Sequence, residues 1–275
     1  MKPEASQITR ESKSNLALAF ISLGRERRQD MTVFYAFCRV IDDIADESNQ
    51  PSDRKRESLT NWRKWIRQSG AGEPALAQQV RSLLEKYRIK PEMLDEIIAG
   101  VEMDLEKSRY ANWEELRLYC YRVASAVGLV SIEIFGYKNP QAREYAVQLG
   151  LALQTTNIIR DVRKDLENGR IYLPADEMAK FDYSEADLAA RKYDDRFVKL
   201  MQFQADRSHE FFAKATALLP REDRKSMVAA EIMHSIYHGL LRKIERDRFR
   251  VFERDYRLNK LEKAGRITGQ LFRAL

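Results

Sequence analysis

The chain has 275 residues, 44% hydrophobic and 33% charged, a balance that fits one large or two small packed domains and excludes a disordered chain. Only 11 Gly and 7 Pro are present, too few turn formers for a many-stranded fold, so long helices with short connections are expected. A net charge of +6 would suit nucleic acid, a membrane surface or an anionic substrate, but 42 acidic residues interspersed among 48 basic ones show no segregated basic face, which sets nucleic acid aside.

Met1 to Lys13 is polar and mixed in charge, without an apolar core of signal-peptide length. Val33 to Ile44 is apolar almost all round, as a helix in the middle of a bundle is. Pro51-Ser52 interrupts the chain, Trp62, Trp65 and Ile66 mark the next helix face, and Gly70-Ala71-Gly72 closes it. After Lys90-Pro91, the residues Leu94, Ile97, Ile98, Val101 and Leu105 recur at i, i+3, i+4, i+7 and i+11, a buried helical stripe. Asn139-Pro140 reads as an N-cap with Pro at the first helical position. Val147 to Ile159 is a second helix apolar on every side, and beyond Gly169 the helical pattern stops at Pro174. Phe197, Leu200 and Met201 open a stripe that Phe211, Ala215, Leu218 and Leu219 continue to Pro220. The tail from Arg254 to Leu275 is basic with interleaved Leu, Ile and Phe, and reads either as a packed terminal helix or as peripheral contact with an anionic membrane. No stretch reaches the roughly 18 apolar residues of a membrane span. Cys38 and Cys120 sit in apolar-aromatic runs as buried thiols. A cytoplasmic protein, soluble or peripherally membrane-bound, is expected.

The two all-apolar helices share an anomaly: each ends in clustered carboxylates. The first reads Arg39-Val-Ile-Asp42-Asp43-Ile-Ala-Asp46-Glu47, the second Asn157-Ile-Ile-Arg160-Asp161-Val-Arg-Lys-Asp165. Asp42 and Asp46, like Asp161 and Asp165, lie one turn apart on one face. Like charges so placed cost about 0.2–0.5 kcal/mol per pair, at the helix end that disfavours anions. Burial adds a larger desolvation cost. A hard divalent cation removes it, because Mg²⁺ takes carboxylate, water and phosphate oxygens. One such pair alone would read as a solvated acidic turn; two, each ending an apolar helix, point to metal-bound diphosphate. Gln154 and Asn157 extend the Asp161/Asp165 face, and buried amides need partners. Arg39 and Arg170 could contact phosphate oxygens, or pair with these same aspartates.

These residues carry a resemblance. FYAFCRVIDDIADE (Phe34 to Glu47) and QTTNIIRDVRKDLENGRIYLP (Gln154 to Pro174) resemble the two signature motifs of the squalene/phytoene synthase family. Ser12-Lys13-Ser14 is similar to its N-terminal Ser-x-Ser, Tyr119 to Gly128 to its central helix, and Tyr237 with Arg254 to a C-terminal Tyr and Arg. The resemblance covers about residues 10 to 255. It implies an all-α, single-domain helical bundle of the isoprenoid synthase type over residues 1–275, with a central cavity. Asp42, Asp43 and Asp46 would bind Mg²⁺, or Mn²⁺ in its place, from one side, and Asn157, Asp161 and Asp165 from the other. Ser12, Ser14, Arg39, Gln154, Asn157, Arg170, Tyr237 and Arg254 would contact prenyl diphosphates, with Tyr121 near the reacting carbons. The implied reaction is head-to-head condensation of two prenyl diphosphates through a cyclopropyl intermediate. The product expected first is presqualene diphosphate or squalene from two farnesyl diphosphates; phytoene or dehydrosqualene is the alternative, and use of NADPH stays open. Phe34, Tyr35 and Phe37 could stabilise cations or simply pack the core. Glu11 stands where many members have His, and Lys164 where Glu is frequent.

Two other readings compete. A head-to-tail chain-elongating synthase or terpene cyclase also uses Asp-rich helices, but lacks this pairing of motifs. A non-catalytic assembly factor of the same fold would be expected to lose the motif aspartates, which are intact here. His234 and His238, one turn apart in HSIYH, lack the Glu of a zinc motif and read as ordinary packing residues.

Overall fold

The computed structural model describes residues 19–46 and 50–274. A short 3₁₀ turn, Phe20–Ser22, leads into helix α1 (Arg25–Asp46), followed by α2 (Ser52–Trp65), α3 (Ala75–Tyr87) and α4 (Pro91–Glu106). Helix α5 (Trp113–Cys120) runs through a π-helical segment, Tyr121–Ser125, into α6 (Ala126–Phe135). Then come α7 (Ala142–Glu167), the short α8 (Ala175–Lys180) and α9 (Glu185–Ala189), α10 (Asp195–Leu218), α11 (Val228–Arg246) and α12 (Lys260–Ala274). Among the described residues no strand forms; the only β-type pairing is one isolated parallel bridge between Arg109 and Ile171. The all-α expectation is met.

Local chemistry sets the helix starts. Pro91 occupies the first turn of α4, where its missing N–H costs nothing. Asn112 and Asp194 accept backbone N–H groups at the starts of α5 and α10, and Ser184 with Asp187 forms a capping box on α9. Asn139-Pro140 departs from its reading. Helix α7 begins at Ala142, and Asn139 works as a turn: its Oδ1 accepts from Gln141 N at 3.0 Å and its Nδ2 donates to Glu222 at 2.8 Å. Buried Asp223 accepts the backbone N–H groups of Lys138 and Asn139 at 2.7 and 3.0 Å, so the turn is fastened to the approach to α11 before the helix starts.

Helix α7 is the hub. It packs along α10 and against α6, the π segment and α11. Its closest crossing is at Gly150, where a Cβ would stand 2.5 Å from Ser125 Cα, so only glycine lets the π segment approach this far. Ser125 Oγ donates to Val147 O at 2.8 Å across the same crossing. Thr155 and Thr156, buried within the apolar run, bond back to Leu151 and Ala152 carbonyls and meet Ser208 of α10 at 2.9 and 3.1 Å, so their hydroxyls are satisfied.

Helix α1 does what its all-round apolarity requires. Phe34 and Phe37 are buried against each other, with Trp62 edge-on to Phe37, and Tyr35 meets Phe20 edge-on. All three are core packing. Cys38 and Cys120 are buried, free thiols. One continuous helix, Trp113–Phe135, is long and apolar enough to span a bilayer, which the sequence reading missed; 56% of that window is buried against other helices, the situation of a core helix. His234 and His238 are joined by His209, whose Nδ1 lies 3.2 Å from His238 Nε2, and Phe212 stacks on both His234 and His238. Burial, with Arg242 and the other histidines nearby, lowers His238 to about 4 and keeps it neutral.

Candidate active site

Helix α6 packs against both α1 and α7 and so holds their acidic ends on either side of a cleft of about 370 Å³. From α1 the cleft receives Arg39, Asp42 and Asp46; from α7, Gln154, Asn157, Arg160, Asp161 and Asp165; from the loop beyond α7, Arg170 and Tyr172. Helices α4 and α5 add Asp104 and Tyr119.

The loop is placed by a Schellman turn. Gly169 adopts φ +75°, Gly169 N donates to Leu166 O at 3.0 Å, and Arg170 N donates to Asp165 O at 2.8 Å. The chain then lies along residues 108–111: Ile171 N donates to Ser108 O at 2.9 Å and Ala175 N to Tyr110 O at 3.0 Å. This carries Arg170 to 3.4 Å from Asp46 and stacks Tyr172 on Tyr119, ring centroids 5.0 Å apart. Both hydroxyls donate to Asp104, at 2.8 Å from Tyr172 and 3.0 Å from Tyr119.

The cleft is over-supplied with negative charge: five carboxylates face three guanidinium groups. Burial, reinforced by Asp46, Asp43 and Asp104 and opposed by Arg39, pushes the Asp42 carboxyl up to about 7. Burial and then Asp161 push Asp165 to about 7, against Arg170 and Arg160. Burial also raises Asp104, although Arg170 and the two tyrosine hydroxyls pull the other way. Burial opposes the charge on Arg160, but its paired bonds to Asp161 and the nearby Tyr237 outweigh this and hold it above its usual value.

Among the described residues no three His, Cys, Asp or Glu side chains converge as a ready-made metal cluster. The donor set nonetheless fits Mg²⁺, which binds through one or two carboxylates and keeps its remaining positions for water and phosphate. Asn157 supports the fit. Its Nδ2 donates to Gln154 Oε1 at 3.2 Å, while its Oδ1 is buried without a partner, one turn from Asp161. A buried acceptor left without a donor is costly, and a cation or its water shell satisfies it.

The cleft opens into an apolar cavity of about 190 Å³ between α6, α7 and α11; Val123, Gln154 and Asn157 line both. Tyr237 and Met233 from α11 line its wall, and Tyr145 lines it twelve residues, roughly 18 Å, before Asn157 on α7. Tyr145 OH donates to Glu231 at 2.8 Å. Together the two spaces fall within the roughly 300–1,000 Å³ of ligand pockets.

Several expected residues lie elsewhere. Asp43 is exposed and accepts from Arg39 at 2.5 Å on the rim. Tyr121 is half-buried against the core and lines neither space; the extra residue per turn of the π segment presents Val123 to the cavities instead. Arg254 is exposed and pairs with Asp247 at 3.0 Å, because the chain turns back on the end of α11 before reaching it. Lys164 is directed to Asp255 at 3.4 Å, beside Arg163 at 2.8 Å, so its charge is spent outside the cleft. Ser12, Ser14, Glu11 and Glu47 lie outside the described residues. Asp104, Tyr119, Tyr172 and Arg160 joined the site without having been singled out. A carboxylate inside the stripe from Leu94 to Leu105 was the available signal for Asp104.

An all-α bundle in which two acidic helices flank a cleft continuous with an apolar cavity has the isoprenoid synthase fold. The comparisons narrow the class. A family model described as squalene/phytoene synthase matches residues 9–262. The chain is 35% identical to the 15-cis-phytoene synthase of Synechocystis sp., over 90% of this chain and 77% of that one. It is 36% identical to the presqualene diphosphate synthase of Rhodopseudomonas palustris, over 83% and 82%. The crystal structure of a dehydrosqualene synthase superposes with TM-score 0.84 at 21% identity, covering 98% of this chain and 94% of that one. The chain belongs to the squalene/phytoene synthase family and is a prenyltransferase.

Proposed function

We propose that the protein joins two geranylgeranyl diphosphates head to head to form phytoene. The observation that carries this choice over the farnesyl reading is the naming of its relatives. Phytoene synthases of Synechocystis sp., Arthrospira platensis and Mycobacterium tuberculosis are 33–35% identical over 90–94% of this chain. The Rhodopseudomonas palustris relative favours the second reading, presqualene diphosphate from two farnesyl diphosphates.

The geometry supports either chain length through one division of labour. Arg39 and Arg170 would take diphosphate oxygens at the rim and across the cleft. Asp42, Asp46, Asn157, Asp161 and Asp165 would hold Mg²⁺, with Mn²⁺ as substitute. When bound, the metal supplies Lewis-acid stabilisation to diphosphate as it leaves carbon. Gln154 and Asn157, common to cleft and cavity, place the reacting carbon at the boundary between charge and hydrocarbon. The apolar cavity keeps water from the allylic cation. Forming phytoene releases two diphosphates and two protons, so no hydride donor enters, and NADPH is not needed. The test is incubation with farnesyl or geranylgeranyl diphosphate separately, with Mg²⁺, with and without NADPH, reading products by mass spectrometry. A C40 hydrocarbon from the C20 substrate without NADPH is expected; a C30 product alone would move the assignment to the second reading.

A further inference from the structure

Helix α12 turns a mostly polar face toward the protein. Its half-buried inner residues are Glu262, Lys263, Arg266, Ile267 and Gln270, of which Ile267 alone is apolar and packs against the core. Arg266 reaches across Gly239 of α11, where a Cβ would stand 2.1 Å from its guanidinium carbon, and donates to Ser235 O at 2.8 Å. Glu262 accepts from Lys243 at 3.3 Å. The outward face, at i, i+3, i+4, i+7 and i+11, is Leu261, Ala264, Gly265, Thr268 and Phe272, without a charge. Leu261 is 85% and Phe272 71% exposed, the two most exposed large hydrophobic side chains among the described residues. They stand about 16 Å apart along the helix.

Charge is unevenly distributed along the chain, with the excess in the segment that carries this helix. Residues 242–275 hold 11 of the 48 Lys and Arg but 5 of the 42 Asp and Glu, which leaves 37 of each in the rest of the chain. The whole net charge of +6 therefore sits in the last 34 residues. Arg257 and Lys260 are exposed at the start of the helix, and on its inner side Arg242, Arg246 and Arg266 line a shallow depression with one carboxylate, Glu245.

We infer that α12 is a membrane-docking surface that lays Leu261 and Phe272 into the headgroup boundary of an anionic bilayer, held by the surrounding Lys and Arg. A basic flank beside an uncharged apolar face is what an interfacial helix requires, and each basic residue near the surface adds attraction. A second copy of the chain fits less well. One face of a 15-residue helix offers roughly 22 Å by 10 Å, far below the about 800 Å² per partner of a stable interface. The inference does not depend on which prenyl diphosphate is used.

The test is co-sedimentation of the full chain with phosphatidylcholine vesicles, with and without phosphatidylglycerol, in low and high salt. Recovery with the anionic vesicles, little with neutral ones, and loss in high salt are expected. The doubly substituted L261S/F272S should bind at least about tenfold more weakly, since it removes most of the exposed apolar area. R257Q/K260Q should weaken binding several-fold. Far-UV circular dichroism checks that both fold. In F272W, which keeps the apolar face, tryptophan emission should shift to the blue on anionic vesicles. Wild-type binding by L261S/F272S, no blue shift, or no recovery with anionic vesicles would each overturn the inference. A dimer in light scattering that L261S/F272S dissolves would assign the face to a second copy, and also overturn it.

Discussion

The two acidic motifs share a spacing but not an electrostatic state. On α7, Arg160 lies beside Asp161 and takes it in a paired bond, so the load falls on Asp165, one turn further on. On α1, the more enclosed member is the first, Asp42, while the second, Asp46, is exposed and lies 3.4 Å from Arg170. Asp42 and Asp165 therefore both stand near 7, one at the start of its pair and one at the end. Identical i, i+4 spacing thus says where carboxylates gather; depth and neighbouring guanidinium groups decide which of them is held protonated in the absence of a cation.

That contrast can be broken most sharply by removing the groups it singles out. Asp42→Asn and Asp165→Asn should each lower kcat by roughly 10²–10³-fold, the range for losing one preorganised group at a charge-developing centre. Retention of near-wild-type turnover in either would sink the assignment. Chelation should abolish turnover in the wild type, with recovery on added Mg²⁺; full activity in excess chelator would refute metal dependence.

The pH dependence sharpens the comparison. Asp42 and Asp165 have folded-state values raised from 3.8 to about 7. Their contribution to stability is therefore fully present below about pH 4 and is lost as pH rises through about 7. The Tm advantage of metal-free Asp42→Asn over wild type should be near zero at pH 4 and grow toward pH 8, by roughly 2–4 °C per kcal/mol relieved. Mg²⁺ should raise the wild-type Tm more at pH 8 than at pH 6, since ligands must be deprotonated to bind. A pH-independent Tm difference in thermal scans would contradict both statements.

Smaller effects should separate the partners. Arg160→Gln leaves Asp161 uncompensated next to Asp165, and should lower metal-free stability at pH 8 while Asp46→Asn changes it little, because Asp46 is already solvated. Equal thermal shifts for the two would remove the asymmetry. Tyr172→Phe, which deletes one of two hydroxyl bonds to Asp104, should raise KM a few-fold with kcat nearly kept. A large fall in kcat would instead place Tyr172 at the reacting atoms.

The acidic pairs were legible because like charges ending an apolar helix contradict helix physics, and the amide face of Gln154 and Asn157 followed by the same periodicity. Asp104 was not, because a single carboxylate in a stripe looks like a helix edge until Tyr119 and Tyr172 close on it. Those two rings are brought together where residues 108–111 pair with residues 171–175, segments without a shared sequence pattern. Tyr121 and Arg254 line neither the cleft nor the cavity, for local reasons: a π turn shifts which residues face inward, and the chain's return over the end of α11 pairs Arg254 with Asp247. The inward polar face of α12 was likewise hidden, since amphipathicity gives a helix two faces but not the one that docks.

The tie between Ile171 and Ser108 spans sixty-three residues, and with the Ala175–Tyr110 bond it is the fastening that brings Arg170 and Tyr172 over the cleft. Contacts so distant along the chain form only after the intervening helices have been brought together, so the cleft should be among the last parts to close during folding. In the folded protein the same two amides are natural reporters of site opening. Their hydrogen-exchange rates should fall together when inorganic diphosphate and Mg²⁺ bind, while amides in the middle of α10 keep theirs. Exchange at residues 171 and 175 thus follows, at single-residue resolution, the closing of a wall that no carboxylate titration would detect.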